Sequence, residues 1–179
     1  MTLRISKPSF NIREKINEMD GEVPRHKMPA GSIIQVVQGK LTSQTESSAG
    51  TGVNVDVGLG VSMSPHFKDS KVLVELDSFP CRIRSSSTTF FISLQRKIGY
   101  NGTWRTHIVT GEYTYYVSSQ DEFNDGFNYL DSPGTTDEVF YRIITQKTSG
   151  GGNIAYNHNA SGGRGAYNYA TLTLMEIKS

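Results

Sequence analysis

The side chains that could do chemistry are few and scattered. His26, His66, His107 and His158 are the four imidazoles, and Cys81 is the one thiol. Local metal sites place two ligands a few residues apart, and no such pair exists here, so no zinc centre is expected. Asp121, Glu122 and Asp125 offer carboxylates beside Asn124 and Gly126. They lack the spacing of an EF-hand loop, which predicts a solvated loop instead. Gly50-Thr51-Gly52 lacks the further glycine and helix of a dinucleotide loop, and neither a nucleophile elbow nor a Walker loop occurs. Cys81 lies close to Phe79, Pro80 and Ile83, the setting of a small buried hydrophobe. No catalytic, cofactor-binding or metal-binding residue is assigned, no cofactor is expected, and the chain reads as a protein that is not an enzyme.

The aromatic residues say more. Tyr100, Trp104, Tyr113, Tyr115, Tyr116, Phe123, Phe127 and Tyr129 crowd into one stretch. Tyr115 and Tyr116 are adjacent, so on a strand they point to opposite faces and one must leave the core. A second run, Tyr156-Asn157-His158-Asn159 and then Tyr167-Asn168-Tyr169, sits among polar residues and glycines. Rings with polar tips suit interfaces and sugar-binding surfaces as well as core packing. Trp104, Tyr156, His158 and Arg164 are the expected recognition surface.

These side chains need a scaffold, and the periodicity names it. Val53, Val55, Val57, Leu59, Val61 and Met63 hold six successive alternate positions, with Asn54, Asp56, Gly58, Gly60 and Ser62 between them. A helix would scatter that pattern around its circumference, whereas a strand buried on one face requires it. Gly58 and Gly60 on the other face predict a bulge or a close backbone approach. The alternation returns at Val72, Val74 and Leu76 and at Phe90, Ile92 and Leu94, with short apolar runs at 139–144 and 172–177. Turn signals stand at Ser64-Pro65, Tyr100-Asn101-Gly102, Asp125-Gly126, Ser132-Pro133-Gly134 and 149–152. Eight to ten strands with such spacing predict an all-β fold, an antiparallel two-sheet sandwich of jelly-roll type over residues 31–179.

Residues 1–30 read differently and form a separate N-terminal segment. Asn11 and Glu14 make a capping box, Gly21 supplies a stop, and a short helix is predicted over about 11–20. Ile12, Ile16 and Met19 form its apolar stripe. A helix this short is marginal alone, so the stripe must dock, on its own β domain or on a neighbouring protein. The polar, proline-spaced stretch from Asp20 to Ala30 gives reach and favours the neighbour. Phe10, Ile12, Ile16 and Met19 are the expected anchor. Lysine plus arginine number 18 against 17 acids, a formal charge of +1, so neither nucleic acid nor an anionic membrane is an expected partner. No run has the length or apolarity of a signal peptide or membrane span, which predicts synthesis in a cytoplasm.

Three stretches together carry a resemblance: Gly31-Ser32-Ile33-Ile34-Gln35-Val36-Val37-Gln38, Tyr129-Leu130-Asp131-Ser132-Pro133-Gly134-Thr135-Thr136 and Thr171-Leu172-Thr173-Leu174-Met175-Glu176-Ile177. With the leader Lys7-Pro8-Ser9-Phe10-Asn11-Ile12-Arg13-Glu14-Lys15, this order resembles the β-rich, tail-fibre-like appendage proteins of marine tailed phages, including cyanophages. The resemblance covers nearly all the chain, and its motifs mark strand starts and turns rather than chemistry. It implies a structural virion protein made in the host cytoplasm, a homotrimer held to other virion proteins by residues 1–30. Its exposed loops would then meet a host-surface glycan or protein. The chain has no long shaft of the kind a full tail fibre carries, which keeps open a capsid decoration or tail accessory protein that stabilises its neighbours without a receptor. A glycine-rich sandwich buries modest apolar area, so a subunit interface would add needed burial.

Overall fold

The computed structural model describes residues 24–84, 88–115, 122–157 and 169–179. The expected helix over about 11–20, and with it the anchor residues Phe10, Ile12, Ile16 and Met19, lies outside the described residues. From Ile33 onward the chain runs as strands: β1 (Ile33–Leu41), β2 (Thr45–Ser47), β3 (Asn54–Met63), β4 (Lys71–Arg84), β5 (Thr88–Ile98), β6 (Arg105–Tyr115), β7 (Glu122–Asp131), β8 (Val139–Gly150), β9 (Asn153–Tyr156) and β10 (Ala170–Ile177).

All pairings are antiparallel. One sheet holds β1, β10, β4 and β7 in that order, with β9 and β2 extending it, and the other holds β3, β8, β5 and β6. Counting only the eight long strands, the first sheet runs first, eighth, third, sixth, and the second runs second, seventh, fourth, fifth. That order is a jelly roll, two Greek keys folded face to face. The predicted sandwich and its connectivity are both present.

Period-two burial builds the core between the sheets. Val57, Leu59 and Met63 of β3 point inward with Phe90, Ile92 and Leu94 of β5 and Val139, Tyr141 and Ile143 of β8. They meet Val72, Val74 and Leu76 of β4 and Ala170, Leu172 and Leu174 of β10. Each large aliphatic or aromatic side chain removed from water in this way contributes about 1.5–3 kcal/mol. Gly58 has φ +80° beside a register shift between Asp56 and Gly60, the bulge that its position on the outer face predicts.

A second bulge changes which residues of β4 face the core. Its register with β7 shifts between Leu76 and Phe79, so inward positions pass from 72, 74 and 76 to 79, 81 and 83. Opposite this shift lies Gly126, where a Cβ would run into the Leu76 carbonyl oxygen. Asp125-Gly126 is therefore the interior of β7 and not the expected turn. Glu122 and Asp125 likewise belong to this strand rather than to a loop. The bulge also explains Cys81, which is 1% exposed as the sequence suggests. Burial pushes its thiol pKa well above the ordinary value, and the nearby Asp125 charge adds to the rise.

The described part of the linker is tied down. A 3-10 turn spans Arg25–Lys27. Lys178 Nζ donates to the His26 carbonyl at 2.7 Å and to that of Met28, while Gly31 N–H donates to Lys178 O at 2.7 Å. Just past the end of β10, Lys178 thus straps residues 26–31 to the body.

Candidate recognition site

The alternation on β5 does not stop at Leu94. Arg96 takes the next inward position and is buried at one end of the sandwich. Its cross-strand neighbour on β8 is Tyr141, and Asp131 reaches the same point from the end of β7 in the facing sheet. Arg96 Nη1 donates to Asp131 Oδ2 at 2.5 Å, and the Tyr141 hydroxyl donates to the same oxygen at 2.8 Å. Asp131 Oδ1 accepts the Ser132 N–H at 2.9 Å. Burial first, and then the Asp131 charge, drive the Tyr141 hydroxyl pKa far above its usual value, so it remains a donor. The triad joins the two sheets where the hydrophobic core ends. A charge pair in such a place is tolerated only with its hydrogen bonds made.

Outer-face residues of β3, β8 and β5 assemble a second group under Trp104, which directly precedes β6. Arg142 donates through Nε to Gln95 Oε1 at 2.9 Å and through Nη1 to Asp56 Oδ2 at 2.8 Å. Its guanidinium lies 4.0 Å from the Trp104 ring centre. Lys97 Nζ donates to the Tyr100 carbonyl at 2.8 Å and lies 5.1 Å from the Trp104 ring and 4.7 Å from that of Phe140. Cations at such distances are drawn to the ring faces. Trp104 is half-buried by this packing and borders a cleft of about 410 Å³ lined also by Asp56, Gly58, Gly60, Phe140 and Arg142.

A second cleft of about 420 Å³ lies beside it, lined by Arg96, Lys97, Thr103, Arg105, Ser132 and Pro133. Thr103 and Arg105 flank Trp104 in sequence, but Arg105 pairs with inward-facing Arg96 whereas Trp104 packs on outward-facing Arg142, so the two hollows, which share no lining residue, lie on either side of the start of β6. The first offers aromatic surface and hydrogen-bonding groups, the second fixed positive charge. Among the described residues no group of three or more histidine, cysteine, aspartate or glutamate side chains could hold a metal ion.

Of the four residues expected to form one recognition surface, Trp104 borders this site. Tyr156 does not. It is 1% exposed, packs its ring 5.9 Å from that of Phe79, and hydrogen-bonds Thr145 Oγ1 at 2.6 Å. Burial pushes its hydroxyl pKa up to about 12. The expected surface role for Tyr156 is therefore corrected to a core one: β9 pairs with the end of β4, and its ring turns inward. His158 and Arg164 lie outside the described residues. Among the aromatic crowd, Tyr100 is 81% exposed, whereas Phe127 and Tyr129 pack partly against the core.

Sequence reading missed Arg96, Asp131, Tyr141 and Arg142. The signal was present: Arg96 continues the inward series Phe90, Ile92, Leu94, and Asp131 continues Phe127 and Tyr129. A charge on a buried face at the same end of two strands is a pairing signal.

The class follows from this architecture: a jelly-roll β-sandwich with an aromatic, cation-lined cleft at one end. No protein-family model matches the chain. No curated protein matches it either. Solved structures similar to it include that of the infectious bursal disease virus Gt strain, at 17% identity and TM-score 0.44 over 81% of this chain and 38% of that one. The VP2 subviral particle of infectious bursal disease virus matches at 14% identity and TM-score 0.39, over 81% of this chain and 37% of that one. The enzymatically active domain of bacteriophage CBA120 tailspike protein 4 matches at 10% identity and TM-score 0.31, over 79% of this chain and 20% of that one. The chain thus spans well under half the length of each, and the class stands on the strand order itself.

Proposed function

We propose that this protein is a non-enzymatic structural component of a tailed-bacteriophage virion, a trimeric tail-fibre or knob-like appendage. Residues 1–30 dock it to other virion proteins, and the Trp104 end faces the host surface. The observation that carries this reading is the site's position: it lies on the outside and at one end of a closed sandwich, where a host molecule has access. The jelly roll itself is an architecture used for capsid and lectin domains. β1 ends the first sheet with Ile33 and Val36 exposed, the latter 58%, which supports a contact with a second copy. No helix among the described residues is long and apolar enough to cross a membrane.

Particles assembled with a chain lacking residues 1–22 test the docking half. Incorporation should fall roughly tenfold or more, about the loss of 1.4 kcal/mol or more of attachment. Normal incorporation would contradict it. Soluble full-length protein should also compete with particles for host cells, and Trp104→Ala should abolish that competition. Incorporation through residues 1–22 without any competition would favour the alternative, a decoration or tail accessory protein that stabilises neighbouring subunits.

A further inference from the structure

The cleft beside Trp104 has a charge arrangement that folding does not explain. Arg96 and Arg105 are direct partners across β5 and β6. Like charges in that relation oppose sheet formation. Asp131 neutralises Arg96, but among the described residues neither Arg105 nor Lys97 has an acidic partner. Arg96 also keeps a buried Nε without a hydrogen-bond partner. Thus a cavity large enough for one sugar unit is bordered by three cations and by Thr103 and Ser132.

We propose that the Arg96–Lys97–Arg105 cleft binds the anionic group of an acidic sugar unit. Guanidinium groups suit carboxylate or sulfate because their paired donors match two anionic oxygens. Thr103 and Ser132 at the border of this cleft suit the hydroxyls of the same sugar ring. This inference rests on the recognition reading above and gives its ligand a chemical class.

Calorimetric titration of the full-length protein with a galacturonate tetrasaccharide, a sulfated galactose tetrasaccharide, a neutral galactose tetrasaccharide and sodium sulfate alone tests it. One or both acidic tetrasaccharides should bind roughly tenfold or more tighter than the neutral one, and the stronger of the two identifies the anion. Arg105→Gln, at an exposed position, should weaken that binding by roughly fivefold or more without lowering the melting temperature, since it also removes the like-charge pair with Arg96. Raising salt from about 50 to about 200 mM should weaken it as well. Absence of acidic binding, equal affinity for the neutral sugar, no effect of Arg105→Gln, or sulfate alone binding as tightly as the tetrasaccharides would each overturn the proposal. Host-cell competition is read separately: competition with a silent cleft sinks this inference alone, whereas a binding cleft without competition sinks the recognition reading.

Discussion

Asp131→Ala is expected to destabilise the protein by about 3–5 kcal/mol, because it leaves the buried Arg96 charge without its counter-ion. The Tyr141 hydroxyl loses its acceptor in the same step. Both groups are buried, Tyr141 1% and Arg96 5% exposed, so water could replace the carboxylate only from the cleft that Arg96 borders. Equilibrium urea unfolding measures the loss. Removing all three polar groups together, as Arg96→Met with Asp131→Leu and Tyr141→Phe, should recover most of it, since the desolvation of the charges then disappears along with their pairing. A loss below about 1 kcal/mol for Asp131→Ala would show that the triad is solvated and not a closed buried pair.

Phe79→Ala should cost a comparable amount, about 3–5 kcal/mol. Phe79 is fully buried just past the β4 bulge, against the Tyr156 ring. It fills the corner where β9 joins the end of β4, and backbone pairing on both sides limits how far that corner can collapse into a cavity. Cys81, two residues on, supplies an independent readout. Its buried, high-pKa thiol should resist alkylation in the native protein and react faster in the variant, in step with the rise in unfolded fraction. A stable Phe79→Ala protein with an unreactive Cys81 would mean that this corner repacks freely.

Much of the architecture was legible because a strand's phase is a local property. Val57, Leu59 and Met63, or Phe90, Ile92 and Leu94, declare their inward face without reference to any partner. Glycines at 58 and 60 announced the β3 bulge for the same reason. What stayed hidden depends on pairing across long separations. Nothing adjacent to Asp125-Gly126 says that the strand continues there opposite an offset in β4. Polar neighbours made Tyr156 resemble a loop residue, although pairing with Cys81 and Thr45 carries it inward. Its neighbour Asn157 illustrates the same point. The side-chain amide of this buried residue donates to the Leu41 carbonyl and accepts the Ala170 N–H, which closes the sheet where β9 leaves off and β10 begins.

The candidate site was legible in one residue, Trp104. Its cationic surroundings were not, because Lys97, Arg105 and Arg142 look like ordinary solvated charges until β5, β6 and β8 are aligned. Lys178 is similar: a terminal lysine reads as solvent-exposed, yet it meets the carbonyls of His26 and Met28.

Reconstruction of purified particles, with their proteins checked by mass spectrometry, bears most directly on a virion appendage. The expected density is a three-fold cluster of jelly rolls on the tail, residues 1–30 against a neighbouring protein and Trp104 turned outward. Particles lacking this chain, or a Trp104 end sealed against the capsid, would contradict that function.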